Sequence, residues 1–236
     1  MRKKIAYDAL VGQRKKCSKC VDLKNPSTVL HGIYDSGHIG PWSRWQGNLS
    51  SKIMIIGQDW GTIQFFIENK GLEPTHNPTN DALVKLLASI GVPIDQPCGK
   101  DTEGNVFLTN AILCLKDGED GGLQGTVQDQ WFSDCGKLFL KPLIDLLEPK
   151  VIVTLGEKAY VAVTRLYGQE RLRFRTAVEA VKGFQLKGKS VYFPRYHCGK
   201  RIQNTHRPLP MQFEDWSRIK PFLNIASSQA NFLRLL

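Results

Sequence analysis

The sequence predicts an α/β protein: a single-domain three-layer sandwich with a central, mainly parallel, four-stranded sheet and helices on both faces. Three observations carry that expectation. Four short apolar runs, Lys52–Gly57, Val106–Thr109, Val151–Leu155 and Val191–Pro194, have strand length and read as buried on both sides. Segments of helical periodicity alternate with them, the pattern of a parallel sheet wound between helices. A chain of 236 residues suits one compact core, so residues 1–236 are expected to form one domain.

The elements follow in chain order. Residues 1 to about 50 are read as a short helical start, a C-x2-C knuckle at Cys17 and Cys20, and a Gly-, Trp- and Ser-rich loop holding Trp42 and Trp45. Gly57 stops the first strand, and Gln58 to Asn80 is polar, a loop with one helical turn. Asp81–Ile90 has helical periodicity and ends at Gly91 with Pro93 beyond, a stop signal. Asp117–Gly125 is an acidic, glycine-rich surface loop. Gln130–Leu147 reads as a helix closed by Pro149, and Gly156 opens another that runs through Leu166. After the fourth strand comes a basic loop, then a helix over Met211–Leu223 and a helical tail.

Apolar residues at 42% and charged residues at 23% exclude collagen, coiled coil and wholesale disorder. No run of about 18 uncharged apolar residues occurs, so no membrane is expected as a partner. The basic start, MRKKIAYDALVGQRKKC, lacks the apolar stretch of a signal peptide, which points to a soluble cytoplasmic protein. A net charge of +10 suits a polyanionic partner, because cations set against phosphates release counterions. The charge concentrates in two clusters: Arg2, Lys3, Lys4, Arg14, Lys15 and Lys16 at the front, and Lys200, Arg201, His206 and Arg207 late in the chain. Nucleic acid is therefore the class of partner that the charge leads one to expect.

Six cysteines in a reducing compartment do not read as three disulfides. Cys17 and Cys20 present two thiolates to one soft metal centre, which needs two further ligands. Spacing alone leaves zinc, an iron–sulfur cluster and a redox pair open.

In parallel sheets the ligand crevice lies beyond the carboxyl ends of the strands. Three chemically capable side chains fall there: Asp59, Asn110 and His197. Each has a plain structural use, as a turn cap, a strand-end hydrogen-bond partner or a packed histidine. Their occurrence at three strand ends favours a catalytic use.

The stretches IMIIGQDWGT, FLTNAILC, KVIVTLGEKA and VYFPRYHCGKR, in that order, resemble the motif set of the uracil-DNA glycosylase superfamily. The resemblance runs from about Cys17 to about Arg207, and the cysteine placement is similar to that of the iron–sulfur type 4 and type 5 enzymes. It implies that Cys17, Cys20, Cys114 and Cys135 bind a [4Fe–4S] cluster and leaves Cys98 and Cys198 as ordinary thiols. The GQD motif is closer to the cluster-free type 1 enzymes. The gap from Cys114 to Cys135 is longer than that family's, and the loop CGKRIQNTHR replaces its proline-containing sequence.

On this resemblance Asp59 orients water beneath the sugar and stabilises the oxocarbenium, while His197 stabilises the departing base. Asn110, beside Gln58, offers the donor and acceptor that complement uracil and reject cytosine. Base flipping calls for an aromatic shelf, Phe65 or Phe66 with Trp60 as the alternative. Lys200, Arg201 and Arg207 are expected on phosphates, with Arg201 and Ile202 where the family inserts a side chain into the duplex.

The activity that the resemblance implies is hydrolysis of the N-glycosidic bond of uracil in DNA, leaving an abasic site, with single- or double-stranded damaged DNA as the partner, a nucleoid-associated location and a monomeric state. Three other readings stay open on the sequence. The same fold could act on hypoxanthine, xanthine or 5-hydroxymethyluracil, could trap abasic or uracil-containing DNA covalently through a histidine, or could be a zinc-ribbon nucleic-acid binder.

Overall fold

The computed structural model of the chain describes residues 1–40, 46, 48–74, 76–94, 106–117, 127–180, 182–186 and 190–223. Trp42, Trp45, Cys98, residues 118–125 of the acidic loop and the tail after residue 223 lie outside the described residues. Among the described residues, ten α-helices and a five-stranded central sheet make up a mixed α/β body.

The chain opens with α1 (Arg2–Lys16), longer than the short helical start expected, and then passes the knuckle into β1 (Leu23–Lys24). A 3-10 segment, Pro26–Gly32, follows. The apolar run becomes β2 (Ile53–Gly57), whose first four residues are fully enclosed. The polar stretch after it contains α2 (Ile63–Glu68), capped by Thr62. Helix α3 (Pro78–Ser89) starts three residues before the expected Asp81, because Asn77 caps it through the Thr79 N–H and Pro78 sits in its first turn.

β3 (Val106–Asn110) leads to β4 (Leu115–Lys116), which pairs antiparallel with β1. The expected helix over Gln130–Leu147 divides into α4 (Asp129–Cys135), a π turn at Gly136–Leu140, and α5 (Lys141–Leu147). Pro142 lacks the N–H that a regular ladder would use there, and the coil widens before it. β5 (Val151–Leu155) runs into α6 (Glu157–Leu166), entered through Gly156 at φ +91°. A short α7 (Phe174–Glu179) precedes β6 (Phe184–Gln185) and β7 (Val191–Arg195). The basic loop forms a helix, α8 (Lys200–Thr205), and the last expected helix is split into α9 (Leu209–Ser217) and α10 (Lys220–Leu223).

The sheet order is β3-β2-β5-β7-β6. Its first four strands are mutually parallel, as expected from the four apolar runs. The fifth, β6, is an addition to the expected sheet: it pairs antiparallel with β7 at the edge. Alternate strand residues face opposite sides. Met54, Ile56, Phe107, Ile152 and Tyr192 pack with α1, α5 and α6, whereas Ile53, Ile55, Leu108, Val153 and Phe193 pack with α3 and α9. These are the three layers.

Candidate active site

Strand register places the catalytic candidates. Gly57 pairs with Asn110 across β2 and β3, and Leu155 pairs with Arg195 across β5 and β7. All four parallel strands thus finish at one edge, and the residues that follow them meet there. The ladder continues past the strands, with Ala111 and Ile112 N–H groups donating to the Gly57 and Gln58 carbonyls at 3.0 Å. Asp59, Asn110 and His197 are brought to this edge.

Asn110 is buried at the last position of β3. Its Oδ1 lies so close to Gly57 that a Cβ on that residue would stand 2.1 Å from it. Glycine is required at 57 for the amide to occupy this place. Asp59 lies two residues beyond β2. Its Oδ1 accepts from the Gly61 N–H at 2.9 Å and pairs with Lys116 Nζ at 3.1 Å, and its Oδ2 accepts from Gln58 Nε2 at 2.8 Å.

His197 Nδ1 accepts a hydrogen bond from the Gly199 N–H at 3.1 Å. A neutral ring so bound carries its proton on Nε2. His197 is exposed to solvent at this edge, while protein atoms crowd round part of its ring. That desolvation lowers the His197 pKa from its ordinary value, and the charge of Asp59 offsets part of the effect. The loop rests on the start of α3: a Cβ on Gly199 would meet Thr79 Oγ1 at 3.1 Å, and buried Cys198 donates its thiol to the Thr79 carbonyl at 3.3 Å. Beside it, the Glu73 carboxyl accepts from Asn80 Nδ2, and burial pushes its pKa up to about 7.

The aromatic candidates separate. Phe66 is fully buried, edge-on to Tyr34, and Trp60 is buried against Gly40. Both are packing residues with no open face for a base. Phe65 is half-buried on α2 and keeps the accessible surface a shelf requires.

The basic candidates separate as well. Lys200 and Arg201 are exposed on α8, with Ile202 half-buried. Arg207, expected on a phosphate, is instead buried in a forked pair with Asp215: Nε–Oδ2 is 2.9 Å and Nη2–Oδ1 2.7 Å. Its Nη1 reaches Glu179 at 3.2 Å, and these carboxylates raise its pKa. In the front cluster Arg14 is likewise internal, bound to Asp35 at 2.7 Å and to the His38 carbonyl at 2.6 Å. Lys3 caps the Leu147 carbonyl at 3.2 Å.

Lys116, the buried partner of Asp59, is the candidate that sequence reasoning missed. Its signal was slight: one lysine on a two-residue strand, after an apolar stretch that reads as core.

Cys17, Cys20, Cys114 and Cys135 line one pocket, together with Arg14 and Phe139. Burial, then the neighbouring thiols, pushes Cys114 up to about 12, and burial with the Cys114 thiol beside it raises Cys135 well above the usual thiol range. Among the described residues, no three of His, Cys, Asp or Glu stand close enough around one point to hold a single metal ion. Arg14 Nε is buried with no hydrogen-bond partner among the described residues. Four sulfur donors beside an unmatched guanidinium N–H suit an anionic, multi-atom group rather than a lone cation.

No curated protein matches the chain. A family model described as the uracil DNA glycosylase superfamily matches residues 45–220, a span that includes Asp59, Asn110, Lys116 and His197 and begins after Cys17 and Cys20. Members of that family are DNA glycosylases. With three-quarters of its length matched, and with the carboxylate, amide and imidazole gathered at the carboxyl edge of its sheet, the chain belongs to the uracil DNA glycosylase superfamily.

Proposed function

We propose that the protein hydrolyses the N-glycosidic bond of uracil in DNA and leaves an abasic site. The single observation that carries this reading is the juxtaposition of Asp59, Asn110 and His197 at one sheet edge, each held by a separate strand end. Cleavage builds positive charge on the sugar and negative charge on the base. Asp59, fixed by three donors, supplies the fixed negative charge below the sugar and one remaining acceptor position for water. His197, neutral and protonated at Nε2, donates to the uracil O2 as that oxygen gains charge. The Asn110 amide reads the O4 and N3–H edge, and Gly57 allows it to stand there.

DNA is the partner, flipped at the target base, with Phe65 as the shelf and Lys200 and Arg201 on phosphates. Ile202 enters the stack. Cys17, Cys20, Cys114 and Cys135 would hold a [4Fe–4S] cluster, and the Arg14 N–H would face its negative charge. When bound, the cluster supplies a structural cross-link. The protein acts as a monomer inside the cell, and no helix among the described residues is long and apolar enough to cross a membrane.

The test is an end-labelled oligonucleotide carrying one uracil, single-stranded or opposite G or A, at low salt. The expected outcome is alkali-dependent cleavage in excess over enzyme. Asp59→Asn and His197→Ala should each slow base release by roughly 10²–10³-fold. Undiminished release by either variant removes the role assigned to it. Preferential release from a hypoxanthine, xanthine or 5-hydroxymethyluracil strand moves the substrate. A protein–DNA band that survives denaturation replaces turnover with trapping.

A further inference from the structure

We infer that Lys116 is the positioning residue of Asp59, an inference that rests on the proposed base-release reaction. The two side chains form a nearly dry ion pair: Asp59 keeps 7% and Lys116 4% of side-chain exposure, and Nζ stands 3.1 Å from Oδ1. Exposed pairs of this kind contribute little, but a charge enclosed to this degree is not replaced by water when its partner is removed.

Lys116 also holds the turn that carries Asp59. Its backbone N–H donates to the Gly61 carbonyl at 3.0 Å, and Thr62 forms a parallel bridge to it. The Gly61 N–H returns to Asp59 Oδ1 at 2.9 Å. One residue thus fixes the turn by its main chain and the carboxylate by its side chain. A carboxylate has about four acceptor positions. Lys116 and Gly61 occupy those of Oδ1, and Gln58 takes one on Oδ2. The position left on Oδ2 is the one from which Asp59 can orient a single water.

The placement of Lys116 is itself set from the other side. It belongs to β4, whose partner β1 follows the Cys17–Cys20 knuckle, and it lies two residues after Cys114. The cysteine pocket and the candidate catalytic carboxylate are therefore joined through one short strand.

Lys116 is almost wholly enclosed and offers DNA little surface, so its removal should act on the chemical step and leave DNA affinity alone. Single-turnover uracil release with Lys116→Met should fall about 10²-fold in maximal rate, with the half-saturating enzyme concentration unchanged within a factor of three. Lys116→Ala leaves space for the missing chain, and propylammonium added to that variant should recover about tenfold of the rate. The same amine should do nothing for the wild type or for Asp59→Asn. Released uracil is the readout, since free amines open abasic sites by themselves. Should Lys116→Met not fold, Lys116→Gln, which keeps a donor without the charge, is read in its place and should show the same selective loss of rate.

A folded variant with unchanged maximal rate overturns the inference. So does a loss confined to half-saturation, which would make Lys116 a DNA contact, or the absence of amine rescue. A wild-type protein that binds DNA and releases no uracil overturns the proposed function, and this inference with it.

Discussion

His197 shows how much one backbone hydrogen bond decides. The Gly199 N–H occupies Nδ1, so a neutral ring presents Nε2–H to the crevice, and desolvation favours that neutral form. The sign of the pH effect follows. Burial holds the folded-state pKa below the ordinary 6.5, so between the two values the folded protein binds fewer protons than the unfolded chain. Stability from this group is therefore present above pH 6.5 and is lost as pH falls through that window. Base release that needs the neutral ring should persist below pH 6.5, and its acid limb should disappear in His197→Gln. An imidazole titrating above 6.5 by NMR would contradict the assignment. At this scale the sequence was partly legible. Asp59, Asn110 and His197 could be found because strand ends are found by apolar runs, and runs are local. The burial of Lys116, Phe66 and Arg14 was not legible, because whether a single lysine, phenylalanine or arginine is enclosed depends on which distant segment covers it.

Among the elements, long periodic segments were readable and short ones were not. The four parallel strands each carry four or five consecutive enclosed residues, a signal that survives without neighbours. β6 has two residues and owes its form to β7 beside it. α8 has six, and its sequence, rich in Lys, Arg, Asn and Gln, reads equally as a loop. What holds α8 in place is the far side of its loop, where Arg207 is locked by Asp215 and Glu179 beneath the Tyr196 ring. This division gives two opposite expectations for neighbouring cations. Arg207→Met breaks a buried pair and should cost about 3 kcal/mol, lowering Tm by roughly 6–12 °C for a chain of this size. Lys200→Ala and Arg201→Ala should leave Tm within about 2 °C and each reduce the salt slope of DNA binding by about one. Melting curves and salt titrations on the three variants check both halves. A weakened salt slope for Arg207→Met at full stability would return that residue to the DNA surface.

Across the whole molecule, the cysteines join segments that the sheet does not. Cys17 and Cys20 follow α1, Cys114 follows β3, and Cys135 ends α4, so a group bound to all four closes a loop of nearly a hundred residues. Loop closure of that length is worth about 5 kcal/mol in the chain-entropy account of cross-links. The sequence made the ligand set legible only through resemblance, since spacing left the metal open. The four thiols line one pocket, and the cluster proposed for them is put to the test by iron content. Protein purified without oxygen should carry about four irons per chain. Cys17→Ser, Cys114→Ser and Cys135→Ser should each lose iron and melt roughly 10 °C lower. Cys198→Ser is the control. Its thiol donates to the Thr79 carbonyl and faces α3, so iron content should not change while the His197 loop loosens. Equal iron in all four variants would exclude the cluster. Iron lost from Cys198→Ser as well would count against the assignment, because Cys198 is not among the residues that line the cysteine pocket.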